Sequence, residues 1–288
     1  LAIAGFPGAL APRPWGWSAG RSVGGAAALR RWLDTLAWAC GCTTLRLDGG
    51  DEMTGTPLSN FNRGRATIEA LNALGIDAAA VGNHEFDWTV DTLRARIVEA
   101  RYPFLSANVT DTVGATPPWV EPFTIVSRGA VKVAIIGLTT TETPTATRPD
   151  NVRDLRFGDL AAAVRRVLPQ ARAAADFVVV LAHEGAACDS AACAGPIIDV
   201  ARQLDSGSVD LIVAGHRHRI FTTRVNGIPI VQAGASGNTI AVADFVRVGG
   251  ARVEVRTRLE TPYVDAARPD EELARLFARR ESRNDSIT

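Results

Sequence analysis

The sequence predicts an α/β sheet protein, and three observations predict it. Apolar runs of strand length recur along the chain, helical segments separate them, and each of the four histidines falls just after one of those runs. With 288 residues and 47% hydrophobic content the chain can bury one large core, which fits a single α/β domain better than two unrelated ones.

Strands are expected at residues 1–4, 44–47, 78–81, 131–137, 177–181, 211–214, 228–232 and 240–248. A first helix is expected over 25–39, where Leu29, Trp32, Leu33 and Leu36 recur at helical spacing and mark a core-facing stripe. Further helices are expected over 66–74, 90–100, 159–174 and 197–204. Residues 139–156 are rich in Thr, Pro and Asp and read as a long loop. A last helix over about 269–280 has acids at its start and arginines at its end, the order that a helix dipole favours. Leu273, Leu276 and Phe277 would dock it, and 281–288 would trail as a loose polar tail. The organisation is thus a main domain, 1–262, followed by a C-terminal helix and tail, 263–288.

Composition narrows the function. With 31 basic and 31 acidic residues the formal net charge is zero, so no overall field marks a nucleic-acid or membrane-surface binder. No apolar run approaches the ~18–20 residues that span a bilayer. The chain begins in mid-strand without methionine and without a basic leader, as expected of an exported protein whose signal has been removed. Cys188 and Cys193 can close a small loop disulfide, which points to an oxidising compartment. Cys40 and Cys42 would be strained as a bridge and read as small buried thiols, and neither pair has zinc-ribbon spacing.

The chemistry lies at the strand ends. Loops beyond the carboxyl ends of strands in open α/β sheets can carry polar groups while the strands stay buried. In order they read Asp48-Gly49-Gly50-Asp51, Gly82-Asn83-His84-Glu85-Phe86-Asp87, Ala182-His183-Glu184-Gly185 and Gly215-His216-Arg217-His218. Oxygen and imidazole donors together suit borderline divalent ions such as zinc, manganese or iron. Weaker signals are Gly234-Ala235-Ser236-Gly237, which lacks the full spacing of a serine-nucleophile turn, and the sequon Asn108-Val109-Thr110.

These loops, together with Gly55-Thr56-Pro57-Leu58-Ser59-Asn60, Ser106-Ala107-Asn108-Val109, the loop 137–144 and the segment 226–234, resemble the successive motifs of calcineurin-like metallophosphoesterases of the 5′-nucleotidase-like branch. The resemblance implies a four-layer α/β/β/α sandwich holding two divalent ions. It implies that Asp51 bridges both, that Asn83, His183 and His216 complete the second site, and that His218 serves the first. His84, steadied by Asp87, would donate to the phosphate and its leaving group.

One motif departs from the pattern. The family's first motif is Asp-x-His at the end of strand one, and here that place reads Gly5-Phe6-Pro7-Gly8. Residues 1–33 hold no Asp, Glu, His or Cys to substitute for it. One ion at most is therefore expected, with hydrolysis of a small phosphate monoester weak or lost. The alternative is a catalytically silent relative that serves as a binding or structural subunit of an exported, periplasmic assembly. Arg13, Trp15 and Trp17 would then be its contact loop, since exposed Trp and Arg are favoured interface anchors; otherwise the indoles cover the sheet edge. A third reading is an altered sequence from which both ligands have been removed. Nucleotidases of this branch add a C-terminal domain that grips the base, and the chain ends where the linker to it would begin, so nucleotide specificity is not expected of these residues.

Overall fold

Side chains along a strand alternate between faces, and here both faces are apolar. Val178, Val180 and Ala182 enter one core while Val179 and Leu181, from the same strand, enter another. A sheet built from such strands needs a layer on each side. The computed structural model, which describes residues 1–190, 192–249 and 252–285, supplies those layers with two six-stranded sheets stacked face to face and helices outside each.

The main strands, in chain order, are β1 (Ala2–Ile3), β2 (Leu47–Asp48), β3 (Ala78–Ala80), β4 (Phe104–Leu105), β5 (Phe123–Arg128), β6 (Val131–Thr139), β7 (Phe177–His183), β8 (Leu211–Ala214), β9 (Ile220–Val225), β10 (Ile228–Ala233), β11 (Ile240–Gly249) and β12 (Arg252–Glu260). The first sheet has the order β12-β11-β1-β2-β3-β4 and the second β9-β10-β8-β7-β6-β5. Within each sheet four neighbours run parallel, β1 to β4 in one and β6, β7, β8 and β10 in the other. The remaining strands join antiparallel at the edges.

The helices are α1 (Ala26–Cys40), α2 (Pro57–Phe61), α3 (Arg65–Leu74), α4 (Val90–Glu99), α5 (Leu160–Ala174), α6 (Pro196–Gln203) and α7 (Glu271–Asp285). Leu29, Leu33, Leu71, Leu93, Leu273 and Phe277 place α1, α3, α4 and α7 on the outer face of the first sheet. Val164, Val167, Ile197 and Ile198 place α5 and α6 outside the second. Between the sheets lies a third core, where Ala2, Ala78 and Ala80 meet Ile135, Val179, Leu181 and Val213. The outcome is the expected α/β/β/α sandwich. Local chemistry sets the helix ends: Thr89 and Asp159 cap α4 and α5 by accepting backbone N–H bonds of 3.1 and 2.7 Å.

Several expectations need correction. Cys40 and Cys42 are exposed and joined as a disulfide, because Gly41 turns left-handed at the end of α1 and brings their Cα atoms to 5.0 Å. Leu276 is 40% exposed, so among the described side chains of α7 Leu273 and Phe277 are the buried apolar ones. That helix runs on to Asp285 where a loose tail was expected from 281; residues 286–288 lie outside the described residues. The expected strand at 44–47 is β2, placed later at Leu47–Asp48. The expected loop 139–156 contains two helical turns, Thr143–Ala146 and Pro149–Val152. The Cys188–Cys193 disulfide forms as expected, across the hairpin Ala187–Cys188 and Cys193–Ala194.

The inter-sheet core should be sensitive to truncation. Leu181→Ala is expected to lower the free energy of unfolding in urea by about 2–5 kcal/mol, whereas Val248→Ala at an exposed edge position should stay within about 0.5 kcal/mol of the parent.

Candidate metal centre

The carboxyl ends of the parallel strands from both sheets meet on one side of the molecule. Asp51 follows β2 and Asn83 follows β3 in the first sheet, while His183 ends β7 and His216 follows β8 in the second. Ligand atoms of Asp51, His183 and His216 all lie within 4.8 Å of one another. His183 Nε2 sits 3.1 Å from Asp51 Oδ2 and 3.2 Å from Asn83 Oδ1. The other ring nitrogen of His183 is 2.7 Å from the Gly49 carbonyl, a bond that fixes which edge of the imidazole faces the cluster.

Two local features make this convergence possible. Asp51, His216 and His218 all adopt left-handed backbone, at φ 65°, 64° and 53°, which non-glycine residues seldom occupy and which concentrates at functional sites. A Cβ at Gly82 would collide with Asp51 Oδ1, so only glycine leaves room for that carboxylate.

His84 and Asp87 stand beside the cluster. His84 Nδ1 lies 2.6 Å from Asp87 Oδ2, and the His84 backbone N–H donates to Asp51 Oδ1 at 2.9 Å. The hydrogen bond to Asp87, helped by the charge of Asp51 and opposed by burial, raises the His84 pKa to about 9. His218 stays outside the three-residue cluster. It is exposed on the rim, with its Nε2 3.7 Å from where a Cβ of Gly5 would lie. Gly5 therefore lies beside His218 and has no side-chain donor atom to offer it.

Burial acts on every charge here. In His183 burial is the largest influence and favours loss of the proton, yet the charge and hydrogen bond of Asp51 prevail and raise the pKa to about 9. Burial also pushes Asp51 upward, but His183 outweighs it and holds the carboxyl well below the usual carboxylate range. Behind Asp51 lie Asp48, Glu52 and Glu85, all fully buried. Burial raises Asp48 to about 8 and moves Glu52 and Glu85 up as well.

Three glutamates beyond the expected site residues support the cluster. Glu85 accepts backbone N–H bonds from Gly82, Asp51 and Glu52 at 2.6, 3.0 and 2.5 Å, which shapes the loop that presents Asp51. Glu184 is buried and accepts from the Thr140 hydroxyl at 2.8 Å. Glu142 meets His216 Nε2 at 3.1 Å and pairs with Arg217. Further along the same loop Thr147 donates to Asp87 at 2.8 Å, and Asn151 donates to the Phe86 and Asp87 carbonyls. The Gly-Leu-Thr-Thr-Thr-Glu-Thr-Pro run at 137–144 was the available signal. The loop Arg13, Trp15 and Trp17 is a stacked group, with ring centroids 6.2 Å apart and the Arg13 guanidinium 4.3 Å above Trp15; Trp17 is 49% exposed.

The family described as bacterial capsule synthesis protein PGA_cap matches residues 41–234, more than half of the chain and all of the cluster above. The chain belongs to that family. It is a 5′-nucleotidase-like metallophosphoesterase domain. Protein UshA from Yersinia enterocolitica is 32% identical over 230 residues, covering 72% of this chain and 42% of that protein. The 5′-nucleotidase precursor of Thermus thermophilus superposes with a TM-score of 0.85 at 24% identity, over 98% of this chain and 57% of that one. The calcineurin-like phosphoesterase YfkN from Bacillus subtilis superposes at 0.81 and 21% identity, over 98% and 96%. The chain spans less than half the length of the UshA relatives that it matches. Metallophosphoesterase domains of this kind use divalent metals, and the buried carboxylate, two imidazoles and amide oxygen gathered here form a donor set that fits one.

The His84–Asp87 pair gives a direct check. In metal-free protein the His84 ring should titrate near pH 9 by NMR, and Asp87→Asn should bring it back toward the ordinary histidine value of about 6.5. Because the folded pKa is the higher one, the pairing's contribution to stability is complete below about pH 6.5 and is lost as pH rises through about 9.

Proposed function

We propose that this domain binds one divalent cation through Asp51, Asn83, His183 and His216 and hydrolyses small phosphate monoesters slowly. The observation that carries the reading is the convergence of Asp51 and His183, from different sheets, with His216 within 4.8 Å. A cation held there would supply Lewis-acid polarisation of a phosphoryl oxygen and acidify water. The chain's own residues do the rest. Asp87 holds His84 Nδ1, leaving Nε2–H as the donor to the leaving-group oxygen, and the raised pKa keeps that proton in place at neutral pH. Relatives named as 5′-nucleotidases support a phosphate ester as substrate, and no base preference is proposed. Two disulfides support an exported setting, and no helix is long and apolar enough to cross a membrane.

A second reading, a silent domain that binds a partner through the Arg13–Trp15–Trp17 loop, is favoured by one observation. Gly5 leaves the side facing His218 without a carboxylate.

Metal analysis separates the two. One manganese or zinc per chain, lost in Asp51→Ala and His183→Ala, is the expected result; none in the parent protein would leave the silent reading. Given a bound cation, His84→Ala should lower hydrolysis of p-nitrophenyl phosphate by ~10²-fold or more. Equal background in parent and variant would end the hydrolase reading. The paired change Gly5→Asp and Pro7→His should add a second ion and raise turnover. Gly5 has a left-handed φ of 51°, which aspartate tolerates at about 1 kcal/mol, and its Cβ would meet nothing nearer than 3.6 Å.

A further inference from the structure

We infer that Glu142 is a positioning residue for the cation site, holding His216 and Arg217 in one arrangement so that the second ring nitrogen of His216 faces Asp51 and His183. The inference rests on the reading of that cluster as a cation site, and the experiment below distinguishes failure of one from failure of the other.

The geometry is that of a brace. One carboxylate oxygen of Glu142 lies 3.1 Å from His216 Nε2, and the other pairs with the Arg217 guanidinium. With Nε2 committed to Glu142, Nδ1 is the nitrogen left for the cluster, and a neutral ring bonded this way is fixed as the Nε2–H tautomer. The Glu142 backbone is itself held: its N–H donates to Thr140 Oγ1 at 3.2 Å, and Thr143 Oγ1 donates to the Thr140 carbonyl at 2.7 Å. Thr140 in turn donates to Glu184, the residue after His183. The loop that carries Glu142 is therefore anchored to the strand end that carries another member of the cluster.

Charge gives the brace a second purpose. Arg217 stands next in sequence to His216, and its Nε approaches the buried Glu184 carboxylate only to 3.9 Å. Without Glu142, the Arg217 guanidinium would lose its nearer carboxylate and be left with the longer contact to Glu184. Glu142 supplies that negative charge while sitting 44% exposed, outside the ligand cluster itself.

The experiment has two arms. In the first, nitrogen-15 NMR of metal-free protein reads the His216 tautomer. The parent should show Nε2–H; Glu142→Ala should shift to a mixture, and Glu142→Gln, whose amide oxygen still accepts, should stay with the parent. In the second, calorimetry with manganese alone reads affinity: Glu142→Ala should weaken it by ~10–100-fold, with Glu142→Gln recovering most of the loss. A folded Glu142→Ala protein that keeps the parental tautomer overturns the proposal, as does one that keeps the parental affinity. A parent that binds no manganese, with the tautomer still shifting in Glu142→Ala, removes the cation reading and leaves the positioning role of Glu142 standing.

Discussion

The contact between Asp51 and His183 decides the arrangement of everything around it, because its two partners arrive from different sheets. Asp51 comes from the end of β2 and His183 from the end of β7, and both are almost wholly buried. A buried ion pair is a poor source of net stability, but removing one partner strands a charge in the interior at about 3–5 kcal/mol. The contact matters here as a link between the two sheets. Together with the bond from His183 to Gly49 it ties the second sheet to the loop of the first, and so fixes how the two carboxyl edges meet.

A second tie runs alongside. Thr139, at the end of β6, donates through its hydroxyl to the Val81 carbonyl after β3, and its N–H donates to Asn108. Asn108 returns a bond of 2.8 Å to the Thr139 carbonyl and another to Gly158. That asparagine is buried with its amide fully engaged, so it is a structural joint rather than a glycosylated surface residue. From this joint the loop passes over the centre, meets His216 through Glu142 and reaches Asp87 through Thr147. One segment thus supports both His216 and the His84–Asp87 pair.

Most of the architecture was legible because the strands are long apolar runs and the helices carry periodic leucines. Asp51, Asn83, His84 and the later histidines stood out for a related reason: polar groups behind glycines at strand ends have few structural duties. What escaped was of two kinds. The edge strands β5, β9 and β12 face solvent on one side, and β4 is only two residues long, so none presents a long apolar run. The supporting glutamates escaped because their roles are relational. Nothing local distinguishes Glu142 from a solvated surface acid until the fold brings His216 and Arg217 to it, and a Thr- and Pro-rich composition suggests slack where hydrogen bonds to Glu184, Phe86 and Asp87 impose order.

The left-handed backbone at Asp51, His216 and His218 has an energetic consequence. Each such residue stores on the order of 1–2 kcal/mol that glycine would release. Gly5 sits in the same conformation at the place where the family's first motif has aspartate. Glycine holds that left-handed turn without the steric cost that a side chain would carry there.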